Sequence, residues 1–252
     1  MNVDQREMSL RQKLARLEAP PPWSLPTALL ALLALFVCLT IVGPALAATV
    51  LGSTEPTPEL LMLSWTLGMA LCSAFVLASR RSNPASWQAL KLRRGKQPLA
   101  LALLYGVAIG LSLDLTIGLL AGHFLPVPAI IGLPDSAPAT ILLGAVLVVL
   151  AQPIAESLVF QALLLATLRA RLGAWAGIFF TSALMIGLHL LVFFPALPEA
   201  YQLLWHGVVF PAVLAFAFCL LRVLADSSLA VILGRMGAGM IFLLTALTLG
   251  SA

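Results

Sequence analysis

The chain alternates between seven long apolar runs and short breaks of polar, proline or glycine residues. The runs cover 25–50, 59–79, 99–121, 139–171, 174–194, 201–221 and 229–249. About 20 predominantly apolar residues cross a bilayer as a helix, so each run predicts one transmembrane span. The fourth stays helix-compatible for longer than a straight crossing needs and carries Pro153. A proline there removes one backbone donor and kinks the helix, which neighbouring helices tolerate. Between the third and fourth runs, HFLPVPAIIGLPDSAP is broken by proline too often for a helix and predicts an irregular loop. The first 24 residues carry both signs of charge and end in a proline-rich break, unlike a secretory signal. Leu10, Leu14 and Leu17 fall at helical spacing there, predicting a turn or two of solvated or surface-lying helix. The expected architecture is therefore all-α: a tail over 1–24, then one membrane domain over 25–252 with a single sizeable basic loop, RRSNPASWQALKLRRGKQP, over 80–98.

Composition sharpens this reading. Apolar residues make up 61% of the chain and charged residues 10%, with a mean hydropathy of +1.06. Soluble domains sit near ~45–50% and ~25%, which excludes a soluble enzyme. Every Lys and Arg falls in the tail, in 80–97, at Arg169 and Arg171, or at Arg222 and Arg235, whereas 49–58, 122–138 and 195–200 contain none. Basic residues accumulate on the cytoplasmic side, so the alternation predicts a cytoplasmic N-terminus, an external C-terminus and residence in the plasma (inner) membrane. The net charge of +4 needs no nucleic acid; anionic lipid headgroups suffice as partners. Cys38, Cys72 and Cys219 lie within apolar runs without metal-type spacing, and read as small buried hydrophobes.

Ionisable groups inside spans are functional candidates by default. Asp114, Glu156 and His189 stand out, with Arg235 in the last span. At about 1.5 Å per residue, Glu156 lies about 20 Å and His189 about 27 Å from the basic ends of their helices. The two side chains can thus meet across antiparallel neighbours. Gln152 shares the Glu156 face one turn earlier, while Ser157 and Gln161 are expected to pair with each other one stripe away. A Glu and a His in a dry site can activate a water, bind a metal or pass protons. Glu156 is equally well read as a neutral carboxyl bonded to Gln152, Asp114 as a partner of Arg235 or a self-neutralised acid, and His206 as a wet helix end beside Trp205.

The order of these residues resembles the CPBP intramembrane proteases, the family of CAAX prenyl endoproteases and bacteriocin-processing proteins. Their phrase PxxEExxFRGxL is matched by PIAESLVFQALL, with Glu156 at the first Glu, Phe160 at the Phe and Leu163 at the Leu. Their FxxxH is matched by MIGLH, with His189 in place and Met185 for the aromatic. The resemblance covers about 139–250 and implies an intramembrane endopeptidase. In it Glu156 and His189 activate water, while a later His and Asn stabilise the oxyanion. Ser157 and Gln161 replace the family's second Glu and its Arg, a coupled loss that strands no charge. Arg235 and Gly239 stand at the later His and Asn positions. Arg235 would either support an oxyanion or pin Glu156 in a buried ion pair that disables it as a base. No cofactor is required by the sequence, and Glu156 with His189 gives a divalent metal only two ligands where zinc sites usually have three. Two readings follow: a CPBP endopeptidase, or an inactive CPBP-fold protein that binds a protein partner, lipid or prenylated tail.

Overall fold

The computed structural model describes residues 10–95, 97–125, 127, 130, 133, 136–194 and 199–249. Among these residues the regular structure is entirely helical, and seven helices are long and apolar enough to cross a membrane. They run over Leu25–Leu51, Pro58–Arg81, Leu99–Ala121, Pro138–Leu172, Ala174–Val192, Ala200–Ala225 and Ser228–Leu249, here spans one to seven. The spans agree with the sequence expectation to within a few residues. Seven of the sixteen residues of the proline-rich loop before span four, and four of the six of PALPEA before span six, lie outside the described residues. Within the former, Val127, Ile130 and Leu133 are buried among the hydrophobic residues of the bundle.

Local chemistry sets the helix starts. Ser24 Oγ accepts from the Thr27 N–H, and Thr57 Oγ1 from the Leu60 N–H, each followed by a proline in the first turn. These side chains satisfy donors that the first helical turn leaves orphaned. Gly173 supplies the abrupt reversal between spans four and five, at φ 100°, a backbone that L side chains rarely adopt.

Prolines do more here than kink. Spans one, four and six each widen into π-type turns, over Cys38–Val42, Val146–Ala151 and Leu204–Val209. Each wide segment ends two residues before a proline: Pro44, Pro153 and Pro211. A proline lacks the donor for the i→i−4 bond, and its ring crowds the carbonyl one turn back. Winding that turn wider moves the carbonyl aside and restores pairing at i−5: the Gln152 N–H donates to the Leu147 carbonyl, and Phe210 to Trp205. A fourth wide segment, Ser157–Leu164, follows the Gln152–Glu156 helical turn.

Among the described residues two large hydrophobic clusters fill most of the bundle, beside a small third of Leu165, Ile178 and Cys219. One gathers spans one, two and five around Phe160 and Leu163; the other gathers spans three, six and seven around Leu147 and Val148. Span four belongs to both, so its middle lies where they meet.

The face that carries the N-terminus is built over rather than left open. Among the described residues the expected surface helix spans Leu10–Ala15, and the tail beyond it is docked, not freely solvated. Arg169 Nη2 donates to the Leu14 and Arg16 carbonyls at 3.3 and 2.5 Å. Trp23 Nε1 donates to Thr167 Oγ1 at 2.9 Å, with Arg80 over its ring. The basic loop contains a short helix, Pro84–Ala89, capped by Asn83. It then folds under spans six and seven, where the Ser228 N–H donates to the Lys91 carbonyl and Ser227 Oγ to the Arg93 carbonyl.

Candidate functional site

The short turn Gln152–Glu156, held between two wide segments, aims both of its polar side chains at the seam between the clusters. Gln152 Nε2 donates to Glu156 Oε1 at 2.7 Å. From span five, His189 Nε2 stands 3.8 Å from the same oxygen. His189 Nδ1 lies 3.0 Å from the Met185 carbonyl, which only accepts, so Nδ1 carries the proton. In the neutral ring Nε2 then presents a lone pair toward the carboxylate. Span seven supplies Arg235, whose Nη2 donates to Glu156 Oε2. Its Nη1 reaches Met185 Sδ at 3.8 Å, and its guanidinium stands 5.5 Å from the Phe218 ring centre. Glu156, His189 and Arg235 are 1%, 4% and 5% exposed, so the cluster is dry except for what it encloses.

It encloses little. A cavity of about 20 Å³, room for one water, is bordered by Gln152, Glu156 and His189, with Trp65 and Met69 of span two. A second, of about 30 Å³, lies between Gln152, Arg235 and the Phe210, Phe218 and Phe242 rings.

Several sequence expectations need correction. Asp114 does not meet Arg235; it accepts from Thr245 Oγ1 at 2.6 Å, on the spans three and seven interface. Ser157 and Gln161 do not pair: among the described residues, Ser157 Oγ and both amide atoms of Gln161 are buried without a hydrogen-bond partner. The cause is the wide winding of Ser157–Leu164, since residues four apart share a face only at α-helical pitch. His206 is not a wet helix end. It is 3% exposed and packs edge-on to Phe210. Gly207 explains the approach to span five: a Cβ there would press on Leu190. The proline four residues beyond Gly207 was the available signal, because it widens the turn that carries His206 inward.

The expected Asn position, Gly239, is also informative. A Cβ at Gly239 would collide with the Val148 carbonyl, because span seven lies directly against the wide turn of span four. No group of three or more His, Cys, Asp or Glu side chains among the described residues is arranged to hold a metal ion. Glu156 and His189 offer two ligands, and one oxygen of Glu156 is already engaged by Arg235, so these residues do not fit a catalytic metal. The cysteines are free thiols, two buried and Cys38 partly so.

Residues 138–241, which carry every polar group of this cluster, match the family model described as Rce1-like, type II CAAX prenyl endopeptidase. That segment is similar to the CAAX-protease-like family, within a chain of seven apolar helices long enough to cross a membrane. No curated protein and no solved structure gives a significant match to the chain. Within the matched segment, Arg235 donates to the Glu156 carboxylate that His189 also faces. Trp65, Met69 and Leu39, which close the small cavity, lie outside the matched segment, on spans one and two.

Proposed function

We propose that this CPBP protein holds a membrane-embedded or prenylated peptide segment without cutting it, its hydrolytic centre being closed by an internal ion pair. The observation that carries this reading is the Arg235 guanidinium on Glu156 Oε2, with Gln152 on Oε1. A carboxylate that takes a proton from water would leave Arg235 uncompensated in a dry site, at a cost of several kcal/mol. The absence of space for an Asn side chain at position 239 removes an oxyanion donor as well. The basic residues of the tail, the 80–98 loop and Arg169, Arg171 and Arg222 support a cytoplasmic N-terminal face in the plasma membrane.

One observation favours the second reading, hydrolysis. The water-sized cavity touches both Glu156 and His189, so a water there would donate to Oε1 and Nε2 and keep a lone pair for attack. Arg235 Nη1 would then be the cation nearest a developing oxyanion.

The deciding experiment presents a panel of transmembrane and prenylated peptides to the purified protein in nanodiscs, with and without chelator. Saturable binding with no turnover is expected. Turnover that disappears in Glu156→Gln would establish the hydrolytic reading instead.

A further inference from the structure

A larger cavity than either of those at the Glu–His cluster lies on the N-terminal face, about 230 Å³ in volume. That is roughly ten times the space one water needs. Four cations line it, Arg16, Lys91, Arg169 and Arg222, against two acids, Glu18 and Asp226. The lining therefore carries two more positive charges than negative ones. Arg169 and Arg222 are each 1% exposed, at the last turns of spans four and six.

The internal acids do not use up this donor capacity. Glu18 Oε1 accepts from Lys91 Nζ at 2.8 Å and from Arg222 Nη2 at 3.2 Å. Lys91 Nζ also reaches Asp226 Oδ1 at 2.7 Å. Arg169 Nε, however, stands 3.6 Å from Glu18 Oε2, and among the described residues this buried N–H has no acceptor within hydrogen-bond distance. An unpaired guanidinium N–H in a site this enclosed is costly unless an anion completes it. The cavity lies beside the last turns of spans four and six, and Leu17 in its lining is an apolar side chain 64% exposed. Arg169 Nη1 and Nη2 already donate to the Ala174, Leu14 and Arg16 carbonyls, so what it offers a phosphate oxygen is its Nε–H, and basic pockets at helix ends are suited to lipid headgroups.

We propose that this cavity is a binding site for the phosphate of an anionic phospholipid headgroup, held by Arg169, Arg222, Lys91 and Arg16, with Leu17 toward the acyl region. The bound headgroup supplies the acceptor for Arg169 and ties the N-terminal tail to the ends of spans four and six. Glu18 is the internal anion beside it.

Native mass spectrometry of the full chain, with phosphatidylglycerol, phosphatidylcholine or inorganic phosphate added separately, tests the site. Wild type should retain phosphatidylglycerol over phosphatidylcholine, and Arg169→Gln should reduce that preference about tenfold, the loss of one charge-assisted bond. Arg16→Gln, on the rim and without an ion pair among the described residues, should reduce it by a smaller factor even if Arg169→Gln fails to fold. Equal retention of the two lipids by wild type, or a preference that both arginine variants leave unchanged, overturns the proposal. Stabilisation by inorganic phosphate with no lipid preference overturns the lipid source.

Discussion

Arg235 and Glu156 form a charge pair inside the bundle, joining the last span to the fourth, with His189 on the opposite side of the same carboxylate. Each charge is nearly inaccessible, so each depends on the other for compensation. Removing one member of such a pair typically costs about 3–5 kcal/mol, because the remaining charge is left buried alone. Arg235→Ala should therefore lower the unfolding midpoint strongly. Glu156→Gln should do the same, and the double variant should recover a large part of the loss. Denaturant titration of the three variants in one detergent measures this coupling. Additive losses would mean that the pair does not hold the spans together.

Gly239 gives a packing prediction. Its Cα faces the Val148 carbonyl so closely that any side chain must push spans four and seven apart. Overpacking of a tight contact typically costs about 1–3 kcal/mol, and backbone yields less readily than a side chain. Gly239→Ala should destabilise by that order, and Gly239→Asn should destabilise further without creating turnover in a peptide-cleavage assay. An Asn variant that is stable and newly active would show that the helices separate readily.

The seven spans were legible because apolar run length is a direct reading of bilayer thickness. Glu156, His189 and Arg235 were legible for the same reason, since charge in an apolar run stands out. What the sequence hid was rotation about the helix axis. The α-helical period assigns Ser157 and Gln161 to one face and His206 to a wet end, whereas wide turns beside Pro153 and Pro211 redirect those residues. The docked tail was hidden for another reason. Leu10, Leu14 and Leu17 advertise a surface helix, but the contacts that hold the tail are Arg169 to backbone carbonyls and Glu18 to distant cations, which leave no local pattern.

Glu18 makes the tail sensitive to acid. Burial opposes its ionisation, but Arg222, Lys91 and Arg169 together hold its pKa below the usual 4.5. A depressed carboxylate contributes stability that is complete above its unfolded pKa and is lost as pH falls through the folded one. Tail docking should therefore be constant at neutral pH and weaken only once pH drops below about 4.5. A spin label or fluorophore on a cysteine at Ala19, in a background free of Cys38, Cys72 and Cys219, would follow the release. Glu18→Gln should give a tail that is loosened at neutral pH and no longer responds in that range. A transition that persists in Glu18→Gln would assign the acid sensitivity to another group.

Ser157 and Gln161 are both fully buried, and among the described residues their oxygen and nitrogen atoms have no partner within hydrogen-bond geometry. An orphaned buried donor or acceptor costs about 1–3 kcal/mol, whereas an apolar replacement of similar shape is neutral or favourable. Ser157→Ala with Gln161→Leu should therefore raise the unfolding midpoint. The Leu side chain fills most of the Gln volume beside Cys219, so little cavity term opposes the gain. The same double variant separates a residue kept for packing from one kept for a ligand. If these groups only line the core, the more stable variant binds prenylated and transmembrane peptides as wild type does. If they receive a peptide backbone, stability rises while affinity falls by about tenfold for each lost hydrogen bond. A variant that loses stability would instead show that Ser157 and Gln161 are hydrogen-bonded in the folded protein.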